Sequence, residues 1–327
     1  MKTARSPLKS FLLGVSLVML LAPAVSAQDY PNRPIRFIVG FPPGGSVDVL
    51  ARAVANQATK TLGQPILVEN RAGASTNAAS DFVAKERPDG YTVLVASDSI
   101  AINASLFKNL SFNPATSFAP VTLAITSPQI LVVRPNFGVK TVAEYLTKVK
   151  ANPGGVNVGL TGRGTIGHLA SELINLNQGG LKVSYVPYTG GAPAVRDLVG
   201  GHIDALYVTL PAVTGSVRGG SIVPVAVSSP KRSKAFPDVP TFAETAAPEL
   251  SIDSWQGFLV PAGTPQPIID KLNRELVAAL QSEAVAKPLA DVGFEIVASA
   301  PGAFADVIKA DVQRFGEIVR AANINVE

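Results

Sequence analysis

No cysteine occurs anywhere in the 327 residues, and there are only two histidines and one tryptophan. Without cysteine there are no disulfides, no thiol nucleophile and no thiolate metal ligand, so burial alone must hold the fold together. His168 and His202 stand far apart in the chain with no carboxylate cluster beside either, which makes no metal site. There is no Gly-x-Ser-x-Gly elbow for a serine nucleophile. Charged residues make up 16% of the chain and form no Lys/Arg stripe with interleaved aromatics, which excludes a nucleic-acid partner. Long apolar runs are missing too. The one candidate, Phe11 to Leu21, is too short to span a bilayer.

That run has a different use. Lys2, Arg5 and Lys9 precede it and Val25-Ser26-Ala27 follows, the pattern of an export signal cleaved after Ala27. No cysteine follows the apolar stretch, so no lipid anchor is expected, and an exported, soluble mature protein is. Beyond Ala27 the balance is 25 Lys+Arg against 24 Asp+Glu, so the basic character belongs mostly to the signal. About 300 residues remain, enough for a sizeable core and more readily two domains than one.

What is present is a repeated strand–loop–helix device. Ile35 to Gly40 reads as a strand and Phe41 to Ser46 as a Gly/Pro loop. Val47, Leu50, Ala51, Val54, Ala58 and Leu62 then follow at helical spacing. Ser46 is the expected N-cap. Free first-turn amides and the helix dipole would point at whatever lies in front of the loop, and such a place binds anions. A second copy runs through strand Val156 to Leu160, loop Thr161 to Thr165 and helix Ile166 to Leu176. Strands and helices alternate through the rest of the chain, with separate short strands expected near Val121 to Ile125 and Ile130 to Val133. Thr141 and Glu144 form a capping box. The pattern predicts an α/β fold with parallel sheets and crossover helices.

Gly162, Gly164 and Gly167 make a Gly-x-Gly-x-x-Gly between strand and helix, which invites a dinucleotide reading. The following strand ends in Pro187-Tyr188 rather than near an acidic residue for the ribose, so no nucleotide cofactor is expected. His168 lies one helical turn beyond Gly164, placed either to orient its own loop or to touch a ligand. Asp48 in the first turn of its helix is expected to complement the dipole. Arg163 either reaches an anionic ligand or sits exposed on its loop.

These motifs carry a resemblance. The stretch Pro34 to Asp48, Val68-Glu-Asn-Arg-Ala-Gly73, Pro88-Asp-Gly-Tyr-Thr92 and Gly164-Thr-x-x-His168-Leu are similar to those of the Bug/TctC family. So are Val186-Pro-Tyr-x-Gly-Gly191, Pro237-Asp-Val-Pro-Thr241, Trp255-Gln-Gly257 and Pro261-Ala-Gly-Thr-Pro265. The members of that family are periplasmic solute receptors of tripartite tricarboxylate transporters. Ala104, where a proline is usual, and Arg163 between two glycines depart from the family pattern. The resemblance implies a two-lobed, type II-like binding protein, with one lobe from 28–128 and 253–327 and the other from 129–252. Hinge crossings would lie near Ser127 to Gln129 and Ser251 to Trp255. It implies a small organic carboxylate held largely by backbone amides, and delivery to a membrane permease by a monomer without cofactor or metal. The site residues it implies in the first lobe are Phe41, Pro43, Gly44, Gly45, Ser46, Asp48, Ser75, Thr76, Asn77, Ser97 and Asn103. In the second they are Thr161, Arg163, Gly164, Thr165, His168, Tyr188, Gly190 and Asp204. A sensor subunit for a signalling kinase is the alternative use of the same receptor, and an enzyme the less favoured one.

Overall fold

The first strand, β1 (Ile35–Val39), buries Ile35, Phe37, Ile38 and Val39 completely, as a strand covered on both faces requires. It belongs to a computed structural model that describes residues 30–248 and 251–325. The export signal and its cleavage point lie outside those residues. Helix α1 (Ser46–Leu62) buries the expected stripe of Val47, Leu50, Ala51, Val54, Ala58 and Leu62 and stops at Gly63 in the left-handed conformation, φ 71°. Then come β2 (Ile66–Asn70), α2 (Asn77–Ala84), β3 (Thr92–Ser97) and α3 (Ser99–Leu106). The sequence did not point to α3. Ile100, Ala101, Ile102, Asn103 and Leu106 are all buried, so the helix has no polar face to set a period.

The chain continues through β4 (Phe118–Val133), α4 (Val142–Ala151), β5 (Asn157–Leu160), α5 (Ile166–Asn177), β6 (Ser184–Pro187), α6 (Gly191–Val199) and β7 (Ala205–Thr209). It proceeds with α7 (Thr214–Arg218), β8 (Val223–Val227), α8 (Phe242–Thr245) and β9 (Asp253–Pro261). It closes with α9 (Gln266–Gln281), α10 (Glu283–Asp291), β10 (Glu295–Ile296) and α11 (Pro301–Ala321). The capping box at Thr141 and Glu144 is present. α10, unlike α9 and α11, was not expected, and it carries Pro288 in its interior.

The two short strands expected around 121–133 are one strand of 16 residues. This corrects the sequence reading, and its cause is tertiary: β4 changes partners along its length. Phe118 to Pro128 pair antiparallel with β9, while Gln129 to Val133 pair antiparallel with β7 and β8. Pro128, which cannot donate to a ladder, sits at the change of partner.

This crossing decides where a site can be. β1, β2 and β3 are parallel, β9 opposes β3 and β4 opposes β9. β4 therefore travels with β1–β3 and leaves at their carboxyl edge. It enters the second group beside Thr209, the last residue of β7, which is parallel to β5 and through it to β6. The carboxyl ends of both sets of parallel strands consequently face each other across the step from Pro128 to Gln129. In open α/β sheets ligands bind outside the carboxyl ends of the strands.

The return passage, before β9, is bolted to the first. Gln129 N–H donates to Ser228 Oγ (2.9 Å), Ser228 N–H donates to Gln129 O (2.8 Å), and Ser228 Oγ donates to Ile252 O (2.5 Å). Pro31–Glu327 forms one compact unit. Around the crossing, Trp255 meets Phe304 edge-on at 5.2 Å, and a Cβ on Gly257 would stand 2.5 Å from the Phe304 ring and 2.8 Å from Thr122 O.

Candidate functional site

The first loop is shaped by close approach. At Gly40 a Cβ would lie 2.9 Å from the Cβ of Thr76, so only glycine lets the loop after β2 press against the one after β1. Phe41 O accepts from Asn70 Nδ2 (3.0 Å), and exposed Pro43 leads to Gly44 at φ 83°. The N-cap is Gly45 and not Ser46, a correction to the sequence reading. Gly45 has the extended backbone the cap position needs (φ −75°, ψ 169°), whereas Ser46 is already helical and its Oγ accepts from Gln256 Nε2 at 2.9 Å.

Asp48 is buried and fully occupied. It accepts from Gly44 N–H, from Arg52 and from Asn70 Nδ2, each at 2.9 Å. Burial by itself would raise its pKa, but the hydrogen bonds from Arg52, Gly44 and Asn70 outweigh burial and leave it lowered, so it is ionised. Asp48 therefore organises the loop from within, and both its carboxylate and the Gly44 amide are withdrawn from ligand contact. Among the described residues, the amides of Gly45, Ser46 and Val47 have no protein acceptor.

The second loop repeats the device with different atoms. Gly164, at φ 70°, donates its N–H to Nδ1 of His168 at 3.0 Å, four residues on, as Gly44 does to Asp48. Burial, followed by the charge of Arg163, lowers the His168 pKa to about 4, so the ring is neutral and its Nδ1 is an acceptor. Its ring lies edge-on to Tyr185 at 4.9 Å. The role this geometry gives His168 is orienting the loop. Thr165 caps α5 with its backbone only, its Oγ1 donating to Gly162 O (2.9 Å), and the amides of Thr165, Ile166 and Gly167 are free of protein acceptors among the described residues. Thr161 is half-buried and Arg163 is exposed.

Neighbouring loops complete the two facing edges. Ala74, Ser75 and Thr76 all have positive φ (45°, 52° and 76°), which is strained backbone for residues with a Cβ. Asn103, buried on α3, holds that strain by donating to Ser75 O (2.6 Å) and Asn77 Oδ1 (2.8 Å). Ser97 Oγ accepts from Ser99 N–H at 3.3 Å. On the other edge, Tyr188 donates its hydroxyl to Asp197 (2.7 Å), and Gly190 at φ 149° is the N-cap of α6.

Asp204 does not join them. It precedes β7, at the end of that strand opposite Thr209, and accepts from Arg134 Nε and from Asn157 N–H, both at 3.0 Å. Its carboxylate ties β4 to β5 and β7, so it is removed from the candidate site. Sequence reasoning missed two residues, Gln129 and Gln256. Each is the one side-chain amide of a largely buried strand, and that was the available signal. Among the described residues there is no group of three or more potential metal ligands and no helix long and apolar enough to cross a membrane.

Two facing loops at the carboxyl edges of one crossed sheet define a solute receptor of the two-lobed periplasmic binding-protein class. Residues 50–324 match the tripartite tricarboxylate transporter family receptor model (TctC), and the chain belongs to that family. It is 39% identical over 302 residues to protein BugT of Bordetella pertussis, covering 92% of each chain. The structure of Rhodopseudomonas palustris Rpa4515 with adipate superposes with a TM-score of 0.84 at 32% identity, over 91% of this chain and 99% of that one. MatC (Rpa3494) from the same organism, with bound malate, gives a TM-score of 0.81 at 31% identity over 89% and 100%. The periplasmic binding protein BugD gives 0.82 at 31% identity over 91% and 100%. The family is one of periplasmic receptors, not enzymes.

Proposed function

We propose that this chain is exported and captures one small organic carboxylate between loops 40–46 and 161–165. It then hands the carboxylate unchanged to the membrane permease of a tripartite tricarboxylate-type transporter, acting as a monomer. The observation that carries this reading is the pair of helix starts whose first-turn amides have no protein acceptor, placed on facing strand ends. Family membership supports the transporter, and the neighbours solved with adipate and malate support the carboxylate. The lobes divide at the crossings, 28–128 with 253–327 against 129–252, and closure is a rotation about 127–129 and 251–255 driven by the ligand's greater affinity for the closed state.

The testing variant is Gly45→Val. Gly45 has an ordinary φ of −75°, and its added Cβ would meet only Pro42 O, at 3.6 Å. The fold therefore accommodates a side chain there, while the space before the amides does not. Titration calorimetry should show carboxylate binding at one site per chain in the wild type and at least a hundredfold weaker binding in Gly45→Val, with an unchanged melting profile. Full-strength binding by the variant would move the site elsewhere.

A further inference from the structure

Two buried side-chain amides flank the crossing, and each has one polar atom with no partner. Gln129 is 1% exposed and Gln256 4%. Nε2 of Gln129 and Oε1 of Gln256 are both closed off from solvent and make no hydrogen bond. Native proteins rarely leave such groups unpaired, because desolvating them without a partner is costly. Their placement is not random. Gln256 pairs in register with Ser97 and Ile125 at the carboxyl edge of the first strand group, and its Nε2 donates to Ser46 in the first turn of α1. Gln129 pairs with Thr209 at the carboxyl edge of the second group. Its Oε1 lies against Gly167 in the first turn of α5, 3.1 Å from where a Cβ on that glycine would be. Each amide thus stands beside one of the two helix starts that present free N–H groups.

We propose that Gln129 and Gln256 form the floor of the carboxylate site and that together they select a carboxylate carrying its own hydrogen-bond donor, a hydroxyl or an ammonium. This rests on the functional reading above and adds the class of ligand. The helix starts and Gln129 Nε2 are all donors, suited to carboxylate oxygens. Gln256 Oε1 is an acceptor set among those donors. Against a plain aliphatic acid it stays unpaired, whereas a hydroxyl or ammonium on a nearby carbon donates to it. Sites built to hydrogen-bond a substrate OH or NH reject analogues that lack it. Ligand reaches these atoms when the halves separate at 128–129 and 252–253, and closure then brings both amides onto it.

The test is calorimetry on the full mature protein with matched pairs of acids: propionate and lactate, succinate with malate and with aspartate, adipate and 3-hydroxyadipate, phenylacetate and mandelate. In the best-binding pair the substituted acid should bind roughly tenfold or more tightly than its parent. Gln256→Leu should bring that ratio to within about twofold, whatever it does to the parent acid's own affinity. Gln256→Glu, which keeps an acceptor, should preserve a preference for the ammonium ligand and serves if the leucine variant does not fold. Gln129→Leu should weaken substituted and parent acids alike, by roughly tenfold. If parent acids bind as well as their hydroxy and amino counterparts, or if Gln256→Leu leaves the ratio unchanged, the inference is overturned and carboxylate capture stands. If no acid binds the wild type, the capture reading fails and this one fails with it.

Discussion

Replacing Asp98 with asparagine should change how the stability of this protein depends on pH. Asp98 follows β3 at the start of α3 and is fully buried. One carboxylate oxygen accepts from the Ser254 hydroxyl and from Trp255 N–H (3.2 Å), while its own N–H donates to Trp255 O (3.2 Å), so it clamps β3 to the returning crossing. Burial is the main influence and raises its pKa to about 7. The bonds from Ser254 and Trp255 oppose that, and nearby Asp311 adds to it. Unfolded, the group titrates near its ordinary value of about 3.9. Between those values the folded protein binds the extra proton, so the stability Asp98 contributes is full below about pH 4 and is lost as pH rises through 7. Three units correspond to an effect on the order of 4 kcal/mol. Asp253, raised to about 6 chiefly by burial, acts in the same direction, and Asp48, whose pKa is lowered, acts oppositely at the acid end. The difference between wild type and Asp98→Asn isolates Asp98, since asparagine keeps an acceptor for Ser254 and Trp255. Urea unfolding followed by circular dichroism from pH 4 to 8 should show wild-type stability falling more steeply than that of the variant. Parallel curves would refute the assignment of the extra proton to Asp98.

Three further predictions concern the crossing and the loops. Gly257→Ala should destabilise the fold by about 1–3 kcal/mol in the same urea assay, because its Cβ meets the Phe304 ring and Thr122 O well inside contact distance. A neutral result would mean that α11 yields easily. Arg163→Ala should weaken binding by only about 0.5–1 kcal/mol, more for diacids than monoacids, since Arg163 is exposed; a calorimetric loss of several kcal/mol would place its charge in a desolvated pair. Trp255 is buried in the returning passage with its Nε1 donating to Asp311 (2.7 Å), so closure should alter its emission, and an unchanged spectrum at proven saturation would move the hinge away from it.

The alternation of strand and helix, the apolar stripe of α1, the capping box at Thr141 and the two Gly-rich helix starts follow from local chemistry, and they were legible along the chain for that reason. Period, capping and turn residues act within a few positions of one another. What lay beyond reading was set by partners distant in sequence. Ser46 looked like a cap until Gln256, 210 residues away, took its hydroxyl, and Asp204 looked like a site residue until Arg134, 70 residues away, paired with it. The unbroken run of β4 through Pro128 depends on β9 and β7 offering edges on either side of that proline. The roles of Gln129 and Gln256 depend on which helix start each one meets. By itself the sequence determined that two Gly-rich helix starts exist. Only the crossing of β4 between two groups of parallel strands decided that they face each other, because strand direction and pairing are properties of the assembled sheet and not of any segment within it.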